Sequence, residues 1–144
     1  MPVHCRYSRS IRSHRLNRRL LQQRCDTLLR LLERRTATVS VVFIGDDEMA
    51  SYNKQYRNKQ GPTNVLSFPV IADTTNGFPH PENELGDILI SVDTARRESM
   101  EQKCGLHHRL TDLIIHGMLH LIGYDHERSE SEAELMWNYE RQLF

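Results

Sequence analysis

The residues best suited to chemistry are gathered in one stretch, His116-Gly117-Met118-Leu119-His120-Leu121-Ile122-Gly123-Tyr124-Asp125-His126. Four residues make about one helical turn, so His116 and His120 project from the same face of a helix. Gly123 permits a sharp turn, after which His126 can swing back toward that pair. Three converging imidazoles form a tripod for one zinc ion, each nitrogen ~2.0–2.1 Å from the metal. A tetrahedral zinc with three protein ligands keeps an open position, as catalytic sites do. Water there falls to a pKa of ~7 and becomes a nucleophile at neutral pH. A single histidine on an apolar helix is usually a satisfied core residue, and an i, i+4 pair arises easily by chance. Three with a glycine between the second and third are a different matter, because a shared metal offsets the cost of burying them.

The same spacing frames the metzincin peptidases, in which a glutamate follows the first histidine and serves as general base. Gly117 stands at that position and cannot do so. A peptidase would need its base from elsewhere, such as Glu127. Around the tripod, Asp112 lies one turn before His116 and could orient it, as carboxylates often orient zinc-bound histidines. Asp125 could do the same for His126 or cap a helix, and Asp87 could approach from the end of a strand. His107 and His108 are predicted to sit exposed at a helix start. His4, His14 and His80 fall in termini or loops, where solvation is the default.

The histidines need a rigid frame. Residues 106–122 carry Leu110, Leu113, Ile114, Ile115, Met118, Leu119, Leu121 and Ile122 around most of a helical circumference, which predicts a largely buried helix stopped at Gly123. Before it, residues 3–7 form a short possible strand. Residues 38–45 read as a strand buried on both faces, 65–68 as a strand that Pro69 confines to an edge or an end, and 85–92 as another strand. Helices are predicted over residues 13–34, over 46–56 opened by Asp46 and Asp47, over 93–103 capped by Asp93, and over 129–143. Residues 72–84 form the one long loop. The sum is an α+β fold, a small mixed sheet of about four strands with about five helices, the histidine helix at its centre. One domain over 1–144 fits this length.

Composition narrows the class. The chain has 38% apolar and 26% charged residues and no net charge, which excludes a disordered polyelectrolyte. No run is long and apolar enough to span a bilayer, and no leader pattern is evident, so no membrane role is expected. Cys5, Cys25 and Cys104 are scattered and suit a reducing compartment. The zero net charge conceals an asymmetry: residues 1–35 hold ten arginines against Asp26 and Glu33, a balance of +8, and the rest of the chain balances at −8. Leu20, Leu21, Leu28, Leu31 and Leu32 would share one side of the first helix, with Arg12, Arg15, Arg19, Arg30 and Arg34 on the other. That is the pattern of a solvated amphipathic helix, although it also permits an anionic partner such as nucleic acid. An arginine-rich, acid-poor start also occurs in transit peptides, but the leucine period argues for a part of the fold.

The eleven residues from His116 to His126 resemble the signature of the YbeY family of zinc-dependent endoribonucleases. Asn53-Lys54-Gln55-Tyr56-Arg57 followed by Pro62-Thr63-Asn64-Val65-Leu66-Ser67-Phe68-Pro69, and then Leu85-Gly86-Asp87-Ile88, extend the resemblance over most of the chain. Asn64 departs from the aspartate that many relatives carry, which removes a charge. The arginine density near residue 1 is not a family hallmark. The resemblance implies a cytoplasmic protein that cleaves single-stranded RNA in ribosomal RNA maturation and ribosome quality control, with ribosomal RNA or the small ribosomal subunit as partner. It further implies that His116, His120 and His126 ligate Zn2+ and that Arg57 faces the substrate. Arginine suits that task, being permanently charged and able to hold phosphate oxygens in a bidentate grip. As a plain surface residue it would instead complement a helix C-terminus. The competing expectation of another class is a non-catalytic, zinc-stabilised RNA-binding module of ribosome assembly, favoured if Asp125 completes the coordination.

Overall fold

The computed structural model describes residues 3–33, 37–70 and 84–123. The chain runs β1 (Val3–Tyr7), a 3-10 turn (Arg9–His14), α1 (Arg18–Leu31), β2 (Thr38–Ile44), α2 (Asp46–Arg57), β3 (Val65–Pro69), β4 (Glu84–Ser91), α3 (Val92–Glu101) and α4 (Leu106–Leu121). The strands form one mixed sheet in the order β1-β2-β4-β3. β1, β2 and β4 are parallel, and β3 pairs antiparallel with β4 at one edge. The α+β class and four-stranded sheet are as the sequence predicts, as is the edge placement of β3. The long loop and the helix expected over 129–143 lie outside the described residues.

Strand alternation divides the apolar residues between the two sheet faces. Val3, Val39, Val41, Phe43, Ile88 and Ile90 point to one face, where α1 and α4 cover them in the main core. Ile44, Leu66 and Leu89 point to the other and pack with Met49 of α2. Because α2 covers only part of that second face, Ser40 and Val42 of β2 stay half-buried there. The expectation of a strand buried on both faces is therefore corrected: β2 is fully enclosed on one face only.

The first helix also starts later than predicted. Residues 9–14 form a 3-10 turn that ends at Arg15 in the left-handed region, and Asn17 then caps α1, its side chain accepting from the Leu20 amide at 3.1 Å. A side-chain cap four residues on from Ser13 outcompetes continuation of the apolar period. The buried stripe is Leu21, Cys25, Leu28 and Leu29, spaced for one helical face, with Leu32 packed against it. At α3 the cap is Ser91, whose Oγ accepts from the Thr94 amide, and not the predicted Asp93.

α4 is the apolar helix of the structure. Leu110, Ile114, Ile115, Met118 and Leu119 are each at most 1% exposed, and burying such a side chain is worth at most about 1.5–3 kcal/mol. Gly117 is where this helix meets the sheet. A Cβ added there would stand 2.8 Å from Ile88 Cγ2 and 3.1 Å from its Cδ1. Ile88 is itself fully buried and cannot give way freely. At the sheet edge Gly86 is required for a second reason, with φ 137 and a Cβ position only 2.1 Å from the Phe68 carbonyl oxygen across the β3–β4 pair.

Overpacking at Gly117 should outweigh the better helix propensity of alanine. Gly117→Ala is expected to lower stability by about 1–2 kcal/mol in urea denaturation. Unchanged or increased stability would show that α4 can back away from β4 at no cost.

Candidate active site at the β3 edge

α2 lies on one side of the sheet and α4 on the other, so the two helices can meet only around the edge strand between them. A cleft of about 310 Å³ lies there, lined by Arg57 from the end of α2, by Ser67 and Pro69 of β3, and by His116 and His120 of α4. Ser67 Oγ donates to the Gly117 carbonyl oxygen at 3.4 Å and links the strand to the helix between the two histidines.

His116 and His120 turn their Nε2 atoms toward each other, 3.1 Å apart, with ring centroids at 4.5 Å. Two nitrogens ~2.05 Å from a tetrahedral zinc would be ~3.3 Å apart, so the donor pair fits one shared metal. Holding it requires both rings neutral, with their protons on Nδ1. Among the described residues no set of three metal-type side chains converges. His126 and Asp125, the third predicted ligand and its neighbour, lie outside them.

One predicted neighbour of the metal site is elsewhere. Asp87 faces away from α4, into a separate groove on the second sheet face that Tyr52, Tyr56 and Phe68 also line. The pleat decides this: Ile88 takes the core side, so Asp87 must take the other. Asp112 stands 3.6 Å from His108 Nε2 and 3.9 Å from Arg109, and its Oδ1 is buried without a hydrogen-bond partner among the described residues.

Two other histidines are more engaged than the sequence indicated. His14 is 12% exposed in its side chain. Its Nε2 donates to Asp93 Oδ1 at 2.6 Å and its Nδ1 accepts from Arg96 Nε at 2.8 Å. His107 is half-buried and accepts from the Asn17 amide at 2.8 Å. Burial, with Arg24 and Arg96 nearby, lowers its pKa and favours the neutral ring that this bond needs. Both pairings span about 80 or more residues of chain, and no local pattern announces them.

Arg57 is positioned by both ends of α2. At the C-terminal end Asn58 takes φ 52, and buried Asn53 donates from Nδ2 to the Gly61 carbonyl, fixing the link to β3. At the N-terminal end Asp46 accepts from Ser91 Oγ at 2.7 Å, Thr94 Oγ1 at 2.6 Å and Arg97 at 2.7 Å. Glu48 accepts from Ser8 Oγ, Ser10 Oγ and the Gly45 amide. Partial burial raises the pKa of both carboxyls, but these donors outweigh it, so both sit below their usual range. Asn64 explains its own departure from aspartate: its Nδ2 donates to both oxygens of Glu98, at 3.3 and 3.2 Å.

With this geometry in place, comparison with known proteins is specific. The family profile described as endoribonuclease YbeY matches residues 5–144. An endoribonuclease YbeY of Synechococcus sp. (strain CC9605) is 41% identical over 119 residues, 83% of this chain and 70% of that protein. Its counterpart in Geobacter sulfurreducens is 41% identical over 132 residues, covering 91% and 87%. A solution structure from Thermotoga maritima, 22% identical, shares the fold with a TM-score of 0.63 over 98% of this chain and 85% of that one. The match places this α+β domain among nucleases of the hydrolase class. The chain belongs to the endoribonuclease YbeY family.

Two outcomes follow from the polar contacts. A carboxyl with a depressed folded-state pKa stabilises fully above its unfolded pKa, near 4. The stability difference between the parent chain and Asp46→Asn should therefore be constant from pH 7 to about pH 5 and shrink as the pH falls through the lower folded-state value. A difference independent of pH would show that the hydrogen bonds do not depend on the charge. Asn64→Asp should face two carboxylates together and cost roughly 1 kcal/mol near neutral pH. Urea midpoints should show that cost disappearing in acid, and equal stability of the two proteins at pH 7 would refute it.

Proposed function

We propose that this protein is a zinc-dependent, single-strand-specific endoribonuclease of the cytoplasm that acts in ribosomal RNA maturation and ribosome quality control. The observation that carries this reading is the pair of imidazole nitrogens facing each other across 3.1 Å in the same cleft as an arginine, in a chain of this family. His116, His120 and His126 would hold the ion. Zinc, when bound, supplies Lewis acidity toward a phosphoryl oxygen and activates water near neutral pH.

The chain's own residues do the rest. Arg57 holds the phosphodiester oxygens through its guanidinium fork and opposes the charge that grows on them as the linkage breaks. The edge of β3 forms one wall of the cleft, and an extended single strand can lie along it where a stiff duplex cannot. Ser67 holds β3 against α4, so the phosphate-facing and imidazole-bearing walls keep their separation. Gly117 bears on the peptidase alternative, because a glutamate there would have to displace Ile88.

The test is cleavage by metal-replete protein of single-stranded RNA, double-stranded RNA and a peptide. Only the first should be cut. His116→Ala and Arg57→Ala, both folded by circular dichroism, should each lose about 10²-fold or more, and a chelator should abolish cleavage reversibly. Equal nuclease activity in both variants would identify a contaminant and defeat the proposal.

A further inference from the structure

Arg12, Arg15 and Arg18 are not explained by the cleft, which lies at the opposite edge of the sheet. At the C-terminal end of β1 the chain makes the 3-10 turn, reverses through Arg15 with φ 52, and enters α1 at Arg18. This reversal places Arg12, Arg15 and Arg18 around a pocket of about 120 Å³ floored by Tyr7, Ile11 and Leu16. We propose that this pocket binds a backbone phosphate of the RNA, at a point several nucleotides from the linkage being cut. The inference rests on RNA being the substrate.

Charge carries the argument. All three arginines are exposed, and none of them is ion-paired with a carboxylate among the described residues, whose bridges involve His14, Arg97, His108 and Arg109. The first turn of α1 holds no acidic residue, so Arg18 and Arg19 sit at the positive end of the helix dipole. Cations there repel the helix terminus, and an anion in the pocket relieves both repulsions. Arg18 is held for the task, its guanidinium 4.4 Å from the centre of the Tyr7 ring, and Tyr7 stacks in turn on Phe43 at 4.9 Å. A left-handed arginine costs roughly 1 kcal/mol or more, yet Arg15 adopts that conformation at the bend that gathers the three side chains. β1 and β3 are separated by three strand spacings, about 14 Å, so one phosphate cannot occupy both sites. The pocket therefore adds affinity and leaves the chemistry to the cleft.

The test reads binding, not cleavage, so it is independent of the zinc and of the nuclease assay. A fluorescein-labelled single strand, kept intact by a chelator, is titrated by anisotropy at several salt concentrations. Each phosphate contact on a single strand contributes about −0.7 to the slope of log K against log salt. Arg12→Ala/Arg15→Ala should make the slope shallower by about 0.7, the share of one phosphate, and weaken binding at low salt about fivefold or more. Arg30→Ala/Lys103→Ala removes the same charge elsewhere and should change both far less. A dinucleotide, too short to leave the cleft, should not distinguish the Arg12/Arg15 variant from the parent chain. Identical slopes in the parent chain and that variant would overturn the proposal. So would displacement of the strand by polyglutamate as effectively as by unlabelled RNA of equal charge.

Discussion

The contact between Gly117 and Ile88 sets where the histidine pair of α4 lies. With no side chain at 117, α4 settles onto β4 closely enough that an added methyl would collide. His116 precedes this contact by one residue and His120 follows it by three, so both imidazoles are carried to the margin of the helix–sheet interface. Beside them lies β3, tied to the same glycine through the Ser67 hydroxyl. Lifting the helix would separate the histidines from the strand and widen the cleft. The constraint that keeps a glutamate out of position 117 is thus the one that builds the site.

An edge strand makes the meeting of the two helices possible. α2 and α4 pack on opposite faces, and inside the sheet the strands would keep their side chains apart. At β3 the sheet ends, and Arg57 from one face reaches the same cleft as the histidines from the other. The far end of α2 is held by carboxylates that accept from serine, threonine and arginine donors beyond the strands. Residues remote from the cleft therefore fix the direction in which Arg57 points.

Charge is distributed with the same separation. With no net charge overall, the chain places Arg12, Arg15 and Arg18 at the β1 edge, three strand spacings from the edge that carries the histidine cleft. Among the described residues no helix is long and apolar enough to cross a membrane. That basic edge is ordered by the cap of α1 and by the Arg18–Tyr7–Phe43 stack.

Local patterns in the sequence were sufficient for the elements themselves: the apolar circumference of α4, the β-branched run of β2, the proline that keeps β3 at an edge. Each depends on neighbours within one or two turns, and that range is visible along a chain. The i, i+4 spacing likewise put His116 and His120 on one face, and motif likeness singled out Arg57. Other features depended on partners distant in sequence. Asn17 rather than Ser13 begins α1 because Arg15 bends the chain first, Ser91 caps α3 because Asp93 is taken by His14, and the pleat sends Asp87 to the wrong face for the cleft. His14 and His107, assigned to solvent by position, are held by groups some 80 to 90 residues away. Periodicity reports which side of an element is apolar. Which polar groups then meet is decided by how closely the layers pack, and at Gly117 that is a distance no one-dimensional pattern encodes.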